Sequence, residues 1–430
     1  MDKTYLRQVL KDELEDFKKD RPFIARIVDV NVHIKTTDIT IITGVRRCGK
    51  STFLRQIRNL LPSYHVLYID LESPRLATFE LSDFEFCDQI WQEQISDSQS
   101  KDVVLFVDEV QNVIGWERWI RYFSEKRKFK VFITGSNSEM LSTELGSSLG
   151  GRYVTLELFP FSVNEIASSL IGDLKTVQQT TDLYAKISNI VDQGLQYGMF
   201  PKPFLEKSTQ IYPYLFNDII SRDIVKRKKI RKPLPLLELG NLLARDNTRT
   251  LNNITTAELI GLEDPRTIAK YISYFKEAYL FFTLRSFSSS LRKQIRGRSK
   301  NYCIDPILAD QVSSKQNRFT AALENFIFLE LLKQKFNFGF WLSSNGYEVD
   351  FVLENKKNEL TAIQVCYDLS SQDTIKREVR ALLAAKTELK ADNLIIVTRD
   401  QANQKLASLI PDNIKVQSIV EYLGLWGEQL

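Results

Sequence analysis

Two kinds of hydrophobic pattern alternate along the first 160 residues. Short, nearly continuous apolar runs at 39–43 (ITIIT), 63–70 (SYHVLYID), 103–107 (VVLFV), 130–134 (KVFIT) and 154–158 (VTLEL) have the length and β-branched content of buried strands. Between them, 52–61 (TFLRQIRNLL) and about 79–96 place apolar residues every three or four positions, as helices do. Strands separated by helices predict a parallel α/β sheet. Helical spacing takes over from 160 to 230. Next come an apolar helix at 234–246, a second starting near Thr255 or Thr256, a turn at Glu263-Asp264-Pro265, and a third helix through Tyr274 and Phe275. Pro265 in a first helical turn is a start signal. Strand-like segments then flank a basic stretch at 291–300. From Phe319 a long helix precedes strands at 346–353, 360–366, 394–397 and 414–416. We therefore divide the chain at 1–160, 161–232, 233–315 and 316–430, which suits 430 residues at roughly 150 per domain.

Composition narrows the class. With 43% apolar and 26% charged residues the chain is neither disordered nor fibrous. No run reaches the roughly 18 apolar residues of a membrane span, and the first thirty residues have no apolar core of a secretion signal. Four cysteines, Cys48, Cys87, Cys303 and Cys366, stand at no ligand spacing, which points to a reducing, cytoplasmic setting. Only His33 and His65 are present, which argues against a histidine triad or a Cys/His zinc site. Charge is uneven: residues 221–300 hold 18 lysines and arginines against 7 acids, whereas the rest of the chain holds 40 against 47. A phosphate backbone, or a salt-bridged contact with the acidic remainder, would suit that stretch.

The strongest chemical signal follows the first strand. Gly44-Val45-Arg46-Arg47-Cys48-Gly49-Lys50-Ser51, continued by Thr52 and a helix, is a strand, GxxxxGK[ST] loop and helix in the required order. The glycines let the backbone amides turn inward onto phosphates, and the helix N-terminus adds its positive end. Lys50 is placed to reach the phosphates and Ser51 to supply a hydroxyl to Mg²⁺. Arg46 and Arg47 either add charge or lie outside. The strand at 103–107 ends in Asp108-Glu109, where Asp108 would hold the metal's water shell and Glu109 would polarise an attacking water. The strand at 130–134 ends in Gly135-Ser136-Asn137, and Asn137, with Ser136 second, is a candidate contact for the terminal phosphate. Arg152, on a Gly/Ser-rich loop, would reach a nucleotide in its own or a neighbouring subunit, or pair with a surface acid.

GVRRCGKS, FVDEVQ with Trp116 after it, FITGSNS and LGGRYVTLELFPFS together resemble the AAA-superfamily ATPases of bacteria and archaea that carry a C-terminal domain of unknown function. The resemblance covers nearly the whole chain. It implies an α/β core of the ASCE type with strand order 5-1-4-3-2, bound ATP and Mg²⁺, and Glu109 as the catalytic glutamate. The stretch 160–230, with Tyr197-Gly198-Met199-Phe200-Pro201, matches the lid-like helical part.

Two further readings concern the remaining chain. Helix, helix, turn, helix and basic hairpin outline a winged helix-turn-helix, with Arg266, Thr267 and Lys270 on its third helix and Arg292, Lys293, Arg296 and Arg298 on its wing. Such modules bind DNA or dock proteins. The C-terminal segment has the layout of restriction-endonuclease-like sites in Glu324, Glu348 and Asp350, but Gln364-Val365-Cys366 stands where acid-x-Lys is expected, so the cleavage site reads as vestigial. Lys376 is one later lysine that would have to substitute. The expected function is an ATP-hydrolysing switch or motor acting on DNA or a protein partner, with a homo-oligomer as one arrangement and no membrane role. An ATP-regulated nuclease and a nucleotide-dependent interaction module without turnover are the alternatives. Glu109 favours the first, because a pure binder does not need it.

Overall fold

The computed structural model describes residues 1–96, 102–137, 149–172, 174, 180–288, 298–313, 319–399 and 409–424. They pack as two units, Met1–Pro160 with Glu277–Tyr279, and Phe161–Lys276 with Leu280–Leu430.

In the first unit, β1 (Ile39–Thr43), β2 (His65–Asp70), β3 (Val103–Asp108), β4 (Lys130–Gly135) and β5 (Tyr153–Glu157) form one parallel sheet in the order 5-1-4-3-2. This is the expected P-loop arrangement. Every residue of β1, β3 and β4 is buried, as a parallel sheet covered on both faces requires. One cover is the first helix, Lys3–Lys18, capped by the Asp2 carboxylate and burying Leu6, Val9, Leu10 and Phe17. Because all five strands run the same way, the residues that follow β1, β3 and β4 emerge at one edge of the sheet. Thr43 lies opposite Gly135 and Glu157, and Asp70 opposite Asp108. Tyr279, returned to this unit from much later in the chain, donates its buried hydroxyl to Glu157 (3.1 Å) and shares a hydrogen bond with the Thr43 hydroxyl (2.9 Å).

The second unit opens with helices Val163–Ile171, Thr181–Tyr197, Pro201–Glu206 and Tyr212–Asp218, the last running into a wider π-helical segment, Ile219–Lys226. It continues with helix Leu234–Arg245, β6 (Thr250–Leu251), helices Asn253–Leu259 and Pro265–Glu277, and β7 (Phe281–Arg285) and β8 (Ser299–Cys303), which form an antiparallel sheet in the order 6-8-7. Helix Asn253–Leu259 starts a little earlier than its spacing suggests, because the Asn252 side chain caps it. After helix Phe319–Lys333, a mixed sheet runs 13-12-11-10-9 through β9 (Asn337–Leu342), β10 (Glu348–Glu354), β11 (Leu360–Val365), β12 (Asn393–Thr398) and β13 (Ile414–Ser418). β9 is an edge strand built on alternating Phe338 and Phe340 that the apolar runs do not single out.

Residues 161–232 share polar anchors with much later segments. The Met199 N–H donates to Asp305 (2.7 Å), Lys333 to the Phe161 carbonyl (3.2 Å), and Arg399 to Asp192 (2.7 Å). Gly198 makes the first of these contacts fit. At φ +78° its Cβ would lie 1.8 Å from the Tyr212 hydroxyl and 2.6 Å from Asp305. Among the described residues no helix is long and apolar enough to cross a membrane.

Candidate phosphate-binding site and the buried acidic centre

The GxxxxGKS loop joins β1 to helix Lys50–Asn59. Gly49 caps that helix in the left-handed region, at φ 101°. Gly44, at φ +152°, lies so close to the residue after β5 that a Cβ would stand 2.0 Å from the Leu158 carbonyl oxygen. The loop is also held from behind. Arg26, buried before β1, donates to the carbonyls of Cys48 and Phe159 (3.0 Å to the latter), while its own amide and carbonyl are bound by the Gln56 side chain at 2.8 and 2.9 Å. No motif marks Arg26. Its only trace in the sequence is a lone arginine within the largely apolar stretch FIARIV that precedes a buried strand.

Lys50 is 5% exposed and donates to the carbonyls of Gly44 (3.1 Å) and Val45 (3.3 Å), and it stands 3.2 Å from Glu109 Oε1. Burial would raise the Glu109 carboxyl, but the Lys50 ammonium, with Gln111 and Arg46, brings it below the ordinary glutamate range. Glu109 is thus a carboxylate at neutral pH. Asp108 moves the other way, lifted by burial and by Glu109 against the hydrogen bonds it receives from Ser51 and Thr134. The Ser51 hydroxyl and the Asp108 carboxylate are therefore adjacent hard oxygen donors, a set that fits Mg²⁺.

Two residues with no role legible in the sequence, Thr134 in FITGSNS and Gln111 in FVDEVQ, complete the cluster. Thr134, fully buried on β4, accepts the Glu109 N–H at 2.9 Å and donates to Asp108. Gln111 donates to Glu109 and reaches the Ser136 hydroxyl at 3.5 Å. Glu109 itself has left-handed backbone angles (φ 49°, ψ 50°), an uncommon state for a non-glycine residue that these bonds hold in place. Ser136 and Asn137 are buried just after β4, at the same edge of the sheet. Thr52 is exposed on the first turn of the helix, and Cys48 is a buried thiol that burial pushes up. Arg46 pairs with Glu72 at 2.6 Å, and Arg47 is exposed at φ 65°.

Arg152 sits elsewhere. It precedes Tyr153, which pairs with Ile39 at the start of β1, so about six residues of strand at roughly 3.3 Å each separate it from Gly44. Its side chain is 70% exposed and pairs with Glu125 at 3.3 Å. The parallel direction of β5 thus carries Arg152 to the end of the sheet opposite the GxxxxGKS loop, away from Lys50, Asp108 and Glu109.

In the second unit, Arg266 and Lys270 are exposed one helical turn apart, Arg266 paired with Asp264 (3.1 Å) and Lys270 5.9 Å from the Tyr274 ring, over which Lys228 also lies at 5.0 Å. Thr267 is half-buried and Arg298 exposed, while Arg292, Lys293 and Arg296 lie outside the described residues. Lys300 departs from the basic stretch it belongs to in sequence. Alternation along β8 turns Lys300 and Tyr302 inward together, and Lys300 meets Glu324 (3.0 Å), Glu348 (2.7 Å) and Asp350 (3.0 Å). Gln364 accepts the Asp350 N–H (2.9 Å) and donates to the Glu348 carbonyl and to Glu378. The acidic residues expected at a vestigial nuclease site do converge, around a lysine from a different sheet. Lys376, by contrast, lies exposed on helix Gln372–Glu388.

Sheet order, glycine loop and paired acids define a P-loop protein of the AAA class, and residues 36–167 match the family model described as an AAA domain. Residues 189–318 and 319–419 match two domains of unknown function, DUF8612 and DUF4143. The uncharacterized protein MJ1544 of Methanocaldococcus jannaschii is 30% identical over 440 residues, covering 99% of this chain and 95% of that protein. The chain belongs to the same family as that archaeal protein. An uncharacterized protein of Haemophilus influenzae is 28% identical over 411 residues, 91% of this chain and 96% of the other. Among solved structures, Aeropyrum pernix ORC1 in complex with DNA aligns over 75% of this chain and 93% of its own at 14% identity, with a TM-score of 0.29 that is too low to bear on function.

Proposed function

We propose that the protein is a Mg²⁺-dependent ATPase that uses ATP turnover as a switch or motor, with its middle segment contacting DNA. The observation that carries the ATPase reading is the meeting of Lys50, Asp108, Glu109 and Thr134 beside the glycine loop. A pure binder has no use for an ionised glutamate held in strained backbone angles at the phosphate end of the sheet. Mg²⁺ bound by Ser51 and Asp108 would neutralise charge on the phosphate oxygens. Lys50 gives the phosphates a positive partner. Glu109 accepts a proton as water attacks the terminal phosphorus, and Ser136 and Asn137 hold that water or phosphate. Arg152, far from its own loop, would serve only a nucleotide on a second copy.

The DNA reading rests on the exposed pair Arg266 and Lys270 and on the order helix, strand, helix, helix and two strands with a 6-8-7 sheet, which is the layout of a winged helix. Steady-state ATP hydrolysis with and without duplex or single-stranded DNA, at two salt concentrations, tests both readings. Lys50→Ala should abolish turnover. Glu109→Gln should keep ATP binding and lower hydrolysis by at least about 100-fold, within the range for loss of a general base. Unchanged turnover in Glu109→Gln defeats the catalytic assignment. Stimulation by DNA that fades with salt supports the DNA contact, and Lys50-dependent turnover indifferent to DNA redirects the partner role to a protein.

A further inference from the structure

The layout around Glu324, Glu348 and Asp350 is that of a two-metal or one-metal phosphodiester-cleaving centre, and such a centre implies a divalent cation. The residues present do not fit one. Three carboxylate oxygens, one from the helix Phe319–Lys333 and two from alternate positions of β10, surround a single point at 2.7–3.0 Å, and that point is the Lys300 nitrogen. Lys300 is 2% exposed at its side chain, Glu324 10% and Asp350 12%, so the ammonium and two of its partners are sealed in. Further oxygen valences are already used: Tyr302 donates to Glu324 at 2.8 Å, and the Val365 N–H donates to Asp350 at 3.0 Å. Among the described residues no group of three or more acids, histidines or cysteines is arranged to hold a metal.

We propose that Lys300 is the resident cation of this centre, taking the seat a divalent metal would need, so that the C-terminal domain is a non-cleaving descendant of the nuclease layout. A divalent ion requires oxygen ligands at about 2.0–2.6 Å from its own position. An ammonium already centred among the same oxygens excludes it both by volume and by repulsion between like charges. Both ends of the lysine are fixed. Its backbone is in the β8 ladder between Leu284 and Thr250, and its head is over the Phe340 ring at 5.8 Å. Burial would strip the proton, but Glu324, Asp350 and Glu348 hold it on Lys300 well above the ordinary amine range. The absence of acid-x-Lys at Gln364-Val365-Cys366 and the presence of Lys300 are then one change seen from two strands. Gln364, neutral, binds the Asp350 backbone without adding a charge that a single ammonium would have to balance.

The test is Mn²⁺ titration of the nucleotide-free full-length protein, following the free-ion signal by electron paramagnetic resonance. Wild type and Glu348→Gln should titrate alike, because neither offers this seat to a metal. Lys300→Met should gain about one equivalent of bound Mn²⁺, and Lys300→Met combined with Glu348→Gln should bind it at least about tenfold more weakly. A wild-type Mn²⁺ site weakened by Glu348→Gln overturns the proposal, as does a folded Lys300→Met protein that gains none. Should Lys300→Met fail to fold, the comparison of wild type with Glu348→Gln decides alone. A plasmid-nicking assay adds a separate arm. Mg²⁺-dependent cutting by the wild type that Lys300→Met and Glu348→Gln both abolish would make Lys300 a catalytic lysine and refute its role as resident cation.

Discussion

Thr134 offers the sharpest test of how the phosphate site is held. It closes the apolar run KVFIT and stands in FITGSNS, where only Ser136 and Asn137 read as candidate contacts, yet its hydroxyl is fully buried between Asp108 and Glu109, accepting the Glu109 N–H at 2.9 Å and donating to Asp108. Thr134→Val preserves shape and volume and removes only the hydroxyl, so no cavity confuses the result. Two losses follow. The Glu109 N–H is left buried without an acceptor, which costs about 1–3 kcal/mol, and Asp108 loses a charge-assisted donor, about 1.5–3 kcal/mol. Relaxation of the strained Glu109 backbone returns part of this. We expect a net destabilisation of about 3 kcal/mol in the first unit, a large share of the roughly 5–15 kcal/mol typical of a domain. Urea denaturation of the full chain measures it, with the earliest transition assigned to this unit. Turnover should fall about 10- to 100-fold in kcat with KM little changed, because Thr134 positions Glu109 and Asp108 without facing the nucleotide itself. Thr134→Ser restores the hydroxyl and should recover most of both. A Thr134→Val protein within about 0.5 kcal/mol of wild type and equal in turnover would show that the hydroxyl does not hold these acids. Equal damage from Thr134→Ser would shift the cause to packing of the methyl group.

Two further predictions follow from individual environments. Gly44→Ala places a Cβ 2.0 Å from the backbone oxygen of Leu158, just after β5, at a φ that only glycine adopts easily, so the loop must open; binding of a fluorescent ATP analogue should be lost, and retention of wild-type affinity would contradict the close approach. Burial, then the charge of Asp108, lifts the Asp70 carboxyl to about 7. The native state therefore keeps this proton where the unfolded chain has lost it. The stabilising contribution is complete below the ordinary aspartate value of 3.8, falls as pH rises, and is gone above about 7, a change on the order of 4 kcal/mol at about 1.4 kcal/mol per unit. Asp70→Asn should accordingly melt higher than wild type at pH 8 and lose that advantage near pH 4.5, and parallel melting curves for the two proteins across this range would refute the shift.

The phosphate loop is legible in the amino-acid sequence because its chemistry is local. Eight consecutive residues supply the glycines, the lysine and the hydroxyl, and the flanking periodicities supply the strand and helix that the loop must join. Asp108 and Glu109 are legible for a related reason: in a parallel sheet the ends of β1, β3 and β4 are forced to one edge, so an acid pair closing an apolar run arrives beside the loop. Strand direction likewise decides Arg152. A glycine-rich loop before a strand looks suited to a phosphate, but that loop enters β5 at the end opposite to the one β1 leaves by. Arg26 carries no local signal, and Thr134 and Gln111, though they stand inside FITGSNS and FVDEVQ, show no role there, since a buried threonine, arginine or glutamine becomes a tether only when another segment brings it a partner. Lys300 shows the limit most clearly. In sequence it closes a basic stretch, and no acid lies between Glu277 and Asp305. Only the packing of β8 against β10 and the helix Phe319–Lys333 turns it inward onto three carboxylates, because a buried charge is tolerated where opposite charges have been folded around it.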